Sequence, residues 1–101
     1  MTQGERIAYF EAILEQSCAA SARLAAALEE FAALQARVRE LDAYYGGPAW
    51  RRDFADDEAG RLPANRKRGV LSEDAAYDAL EENRRLLRRM AEIAALQTRE
   101  S

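Results

Sequence analysis

From Thr2 to Ala43 the chain contains no proline and only one glycine, Gly4, at the very start. A stretch of that length without a breaker commits the chain to one long helix, because proline and interior glycine are what end helices. Within it, apolar residues recur every seven positions. Ile7, Leu14 and Leu28 share one core position, and Phe10, Leu24, Phe31 and Val38 share a second. A third stripe, Ile13, Ala20, Ala27, Leu34 and Leu41, runs beside them. A face three positions wide in seven belongs to a bundle helix rather than to a narrow two-stranded seam. Ser17 and Ser21 fall on the same face and thin it, allowing close approach or a local bend. Cys18 is placed at the buried edge of this face.

A second helix is expected to begin at Ser72. Its hydroxyl suits an N-cap, and Glu73 and Asp74 put negative charge where exposed N–H groups favour it. Leu80, Leu87 and Ala94 form one stripe and Ala79, Leu86 and Ile93 another, with Asn83 on the buried face. Arg84, Arg85, Arg88 and Arg89 alternate with Glu81, Glu82 and Glu92 at i,i+3 and i,i+4 spacing, the pattern of a solvated, ion-paired surface.

The expected fold is therefore all-α: a long antiparallel hairpin, helix one over about 2–43, an insert over 44–71 and helix two over about 72–98, in one domain of 101 residues. A helix of about 40 residues rises about 60 Å. Helix two, a dozen or more residues shorter, cannot cover the apolar face of helix one. With no glycine or proline to break helix one near Ser17–Ser21, a second copy of the chain is expected to cover the remainder, most of all around Phe10–Leu28, giving a dimeric helical bundle.

The insert has the individual shape. The segment Tyr44–Asp78 holds the only tryptophan, both prolines and four of the five glycines. Gly46-Gly47 ends helix one, Pro48 suits the first turn of a short helix to about Ala59, and Gly60 closes it. Trp50 and Phe54, i and i+4 on that helix, present one aromatic face, which with Tyr45 is expected to cap the end of the bundle. Asp53, Asp56, Asp57 and Glu58 lie near a helix C-terminus, where the dipole disfavours them. Arg61, Arg66, Lys67 and Arg68 follow and can fold back onto them. Carboxylates in this number also suit a hard cation, but the spacing matches neither an EF-hand loop nor a bundle metal site. Gly69 is read as a tight turn or a close approach to helix one, and Leu71 as the apolar half of a staple. A phosphate at the start of helix two would find Arg66 and Arg68, but also Glu73 and Asp74.

In Tyr44-Tyr45-Gly46, Trp50, Asp53, Asp57-Glu58-Ala59-Gly60, Leu62-Pro63 and Arg68-Gly69-Val70-Leu71-Ser72-Glu73-Asp74, followed by Tyr77, Leu80 and Asn83, the chain resembles the bacterial domain-of-unknown-function family numbered 4298. The resemblance covers nearly the whole chain. It implies a small, stand-alone bacterial helical protein and brings no activity, substrate or catalytic residue with it.

Composition narrows the function. The chain has no histidine, which removes Ser–His–Asp, Cys–His and the common zinc constellations together. No catalytic residue, cofactor or metal site is assigned, and a thin helical domain offers little room for a substrate cleft. The net charge is −3, so neither nucleic acid nor an anionic membrane is the expected partner. The longest run without a charge is Ala43–Trp50, too short for a membrane span, and the first twenty residues hold no secretory core. A single cysteine suits a reducing cytoplasm. The expectation is a cytoplasmic interaction or regulatory protein, a homodimer that meets a protein partner through the insert. Its candidate residues are Tyr44, Tyr45, Trp50, Asp53, Phe54, Asp57, Glu58, Arg66, Arg68, Ser72, Glu73, Asp74 and Asn83. Two alternatives stand beside it: a carboxylate- or metal-dependent enzyme using Asp53, Asp57 and Glu58, and a nucleoprotein-binding inhibitor using Arg61–Arg68 and the helix-two arginines.

Overall fold

The computed structural model describes residues 1–100, with side chains as far as Thr98. The protein is all-α. Helix α1 spans Gln3–Tyr44, α2 spans Pro48–Glu58 and α3 spans Glu73–Glu100, with a single 3-10 turn at Gly69–Leu71 before α3. No strand occurs among the described residues.

Two compact units divide the chain, residues 1–37 and 38–101. The first unit is helix alone. Its N-terminus is closed reciprocally: Thr2 N–H donates to Glu5 Oε1 at 3.2 Å, and Glu5 N–H donates to Thr2 Oγ1 at 3.1 Å. This capping box satisfies two donors that a helix start otherwise leaves to water, and it holds the Glu5 carboxyl below its ordinary pKa, the Thr2 hydroxyl bond first. No residue of α1 is buried. The heptad positions are bare: Ile7, Phe10, Leu14 and Leu24 are each 55–57 % exposed. Cys18, expected at a buried edge, is exposed for the same reason, since nothing within the unit covers that face.

The second unit holds the core. Trp50, Leu71, Ala76 and Leu80 are its buried apolar residues. The last turns of α1 run antiparallel to the first turns of α3. Tyr45 O–H donates to the Glu73 carbonyl at 3.2 Å, Leu41 shares an apolar hollow of about 190 Å³ with Ala75, Ala76 and Ala79, and Asp42 stands 3.8 Å from Arg84. The start of α3 is fixed by sequence. Ser72 Oγ accepts the Ala75 N–H at 3.3 Å, and the buried Leu71 and Ala76 occupy the two positions of a hydrophobic staple around that cap.

Glycine shapes both ends of the α1–α2 region. Gly46 follows α1 with φ +76°. Gly60, φ +72°, closes α2: its N–H reaches the Asp57 carbonyl and the Arg61 N–H reaches that of Asp56, the paired bonds of a Schellman end. Gly69 opens the tight 3-10 turn before α3, its carbonyl accepting the Ser72 N–H at 3.0 Å. Its φ is not positive and a Cβ there would meet nothing within 4 Å, so the turn does not require glycine and the alternative of a close approach does not hold.

Candidate functional site

The insert is built on Trp50. Pro48 opens α2, which places Trp50 and Phe54 on the same face one turn apart. The two rings stack at 5.2 Å and 22°, and Tyr45 meets Trp50 edge-on at 5.2 Å and 72°. The indole Nε1–H donates to the Val70 carbonyl at 2.9 Å. An amphipathic ring buried with its polar edge satisfied is a stable arrangement. It ties α2 to the turn that precedes α3.

The acidic residues of α2 part company. Tyr44 O–H donates to Asp53 Oδ2 at 2.6 Å, joining the end of α1 to α2. That bond to a carboxylate, together with burial and the Asp53 charge, raises the Tyr44 pKa above its ordinary value. Asp56 pairs with Arg61 at 2.8 Å and Asp57 with Arg68 at 2.9 Å. Glu58 is exposed. The fold-back of the basic run onto α2 is thus made by Arg61 and Arg68. Arg66 and Lys67 have no ion pair among the described residues and instead line a cleft.

That cleft has a volume of about 300 Å³. Tyr44, Asp53, Arg66 and Lys67 are its polar lining, and Leu62, Val70 and Leu71 its apolar floor. Leu71 is buried, whereas Val70 is 39 % exposed. The residues expected from sequence converge only in part. Tyr44, Asp53 and Arg66 meet in the cleft, Tyr45, Trp50 and Phe54 form the support behind it, and Asp57 and Arg68 brace the loop. Ser72 caps α3, Glu73 and Asp74 lie exposed in its first turn, and Asn83 is half-buried further along. Arg68, held by Asp57, is not available to an anion at the α3 start. Lys67, expected to fold back onto the α2 acids, lines the cleft instead, and Leu62 and Val70, present in the family motif, carry no sequence signal for a site. Lys67 sits within a basic run, but charge alone does not distinguish it from Arg68.

Among the described residues no three acidic or sulfur side chains stand close enough to hold a metal ion. Three of the α3 arginines pair along the helix: Arg84 with Glu81, Arg85 with Glu82 and Arg89 with Glu92, at 2.8, 2.6 and 3.4 Å. These are exposed i,i+3 pairs on one helix, a solvated face rather than a continuous basic strip. No described helix is long and apolar enough to cross a membrane.

Compared with known proteins, residues 7–93 match the family model of a domain of unknown function, DUF4298. No curated protein and no solved structure matches the chain.

Proposed function

Because the chain belongs to the DUF4298 family, whose description carries no activity, we propose its function from physical grounds: a non-catalytic interaction module of the cytoplasm that pairs with a second copy through α1 and meets a protein partner through the insert. The bare stripe on α1 is the observation that carries this. Ile7, Phe10, Ile13, Leu14, Leu24, Leu28 and Leu34 are exposed by 38–57 % along one breaker-free helix. A specific interface needs roughly 1,000 Å² in total, and seven large apolar side chains left uncovered on a 42-residue helix are the surface from which a pair would build it. The alanines between them allow close helix approach and add to that surface. The absence of histidine from the sequence favours binding over hydrolytic chemistry.

Sedimentation at tens of micromolar tests the pairing. The expected species is a dimer of an 11.3 kDa chain, dissociated by Leu24→Glu, because a charge in an apolar interface is not hydrated. Leu24 is 57 % exposed in the single chain. A monomeric wild type, or a Leu24→Glu variant unchanged in mass, would falsify the pairing. Affinity capture from the host then asks whether a partner is lost with Glu58→Lys or Arg66→Glu, both at exposed insert positions. A partner captured equally by both variants would remove the insert from the reading.

A further inference from the structure

We propose that the cleft between Tyr44 and Val70 binds an acidic peptide segment of a partner protein, seating one apolar side chain on its floor and the neighbouring carboxylates on Arg66 and Lys67. This rests on the insert being the partner-facing surface. It does not depend on the pairing of α1.

The way the structure sorts charge points to this ligand. Four cations follow α2 within ten residues of its end, at 61, 66, 67 and 68. Two of them are neutralised by α2 itself, Arg61 by Asp56 and Arg68 by Asp57. The two without an ion pair among the described residues, Arg66 and Lys67, are the two that line the cleft. Asp53, the one acid in the cleft, is occupied by the Tyr44 hydroxyl at 2.6 Å. The cleft therefore offers two unpaired cations against one engaged carboxylate. Arginine and lysine side by side make charge-assisted bonds to carboxylates, the arginine with two parallel donors.

The floor supplies the second requirement. Val70 stays 39 % exposed over the buried Leu71, so an apolar group placed there removes hydrocarbon from water. A volume of about 300 Å³ is at the small end of ligand pockets. It suits one side chain and its flanking residues. The floor is also rigidly backed, because the Val70 carbonyl is held by the Trp50 indole. Little ordering is needed on the protein side, which lowers the cost of binding.

The test titrates the full-length, isotopically labelled chain with a blocked pentapeptide of alternating glutamate and leucine, followed by NMR. Shifts should concentrate at Tyr44, Asp53, 62–71 and the Trp50 indole N–H, and affinity should fall as salt rises. Arg66→Glu with Lys67→Glu, both exposed, should keep the helical circular dichroism and weaken binding ten-fold or more. A peptide of glutamate and serine should bind several-fold more weakly, and one of lysine and leucine should not bind here. No shift in the cleft, or a charge-reversed double variant that binds as well as wild type, overturns the proposal. Equal binding by the glutamate–serine peptide or by inorganic phosphate overturns the peptide assignment in favour of a plain anion site. Sedimentation of the same sample keeps the outcomes apart: a dimer without shifts loses only the cleft, and a monomer that binds loses only the pairing. If host capture is lost with Glu58→Lys but kept with the double variant, the insert stands as the partner surface and the cleft assignment falls.

Discussion

Trp50→Ala should be the most damaging single change in residues 38–101. Four buried apolar residues make up that unit's core, and Trp50, 7 % exposed, is much the largest. Truncating a buried tryptophan to alanine costs about 3–5 kcal/mol. That figure includes the stacking on Phe54 and the edge contact with Tyr45, each worth about 0.5–1.5 kcal/mol. Trp50→Phe separates the contributions. It keeps an aromatic ring on that face but loses the second ring of the indole and the bond from Nε1 to the Val70 carbonyl, a change of about 1–3 kcal/mol. At roughly 4–8 °C per kcal/mol for a small domain, the alanine variant should melt at least about 12 °C lower and the phenylalanine variant at least about 4 °C lower. Because α1 dominates the helical signal, amide hydrogen exchange over Leu71–Leu80 is the better assay. About 3 kcal/mol corresponds to exchange faster by roughly a hundred-fold. A Trp50→Ala protein with unchanged exchange there would refute the reasoning and show that the indole is not holding the turn to α2.

Gly60→Ala, forced to φ +72°, should cost about 1–2 kcal/mol, while Gly69→Ala, with open space at its Cβ, should lie within about 0.5 kcal/mol of wild type; urea melts compare the two. Tyr44 has a pKa raised above 10.0 by its bond to Asp53. The protonated hydroxyl therefore stabilises the fold below about pH 10, and the contribution is lost as pH rises through the folded value. Tyr44→Phe should remove the most alkaline step from the tyrosinate absorbance titration. At the other end of α1, the Glu5 carboxyl is lowered from 4.5 by Thr2. Its contribution is present above pH 4.5 and lost as pH falls through the folded value, so the protection of the first-turn amides, relative to the unfolded-chain exchange rate at the same pH, should fall in acid, and Thr2→Ala should abolish that dependence.

Local signals were readable in the sequence. A breaker-free run predicted α1, Gly60 after an acidic turn predicted the end of α2, and Leu71-Ser72 predicted the start of α3, because each of these depends on residues within a turn of one another. The capping box of Thr2 and Glu5 carried the same kind of signal and went unread. The site was less legible. Tyr44 and Asp53 are nine residues apart across a chain reversal, so no periodicity relates them. Arg66 and Arg68 are alike in charge and were taken together. Which of them reaches Asp57 depends on the path of the chain through Leu62–Lys67, where no repeating pattern exists. Cys18 was misplaced for a different reason: a heptad marks a face for burial without saying that the same chain must bury it.

The two long hydrogen bonds of the insert, Trp50 to Val70 and Tyr45 to Glu73, join residues 20 and 28 positions apart. Helix growth is local and finishes within about a microsecond, whereas closing a loop of this length must precede the contacts that reward it. In residues 38–101 the helical segments are therefore expected to form first, with the barrier crossed when the indole meets the turn before α3. Substitutions at Trp50 should slow refolding as well as speed unfolding, whereas a change at an exposed position of α3 such as Arg88 should leave both rates nearly untouched.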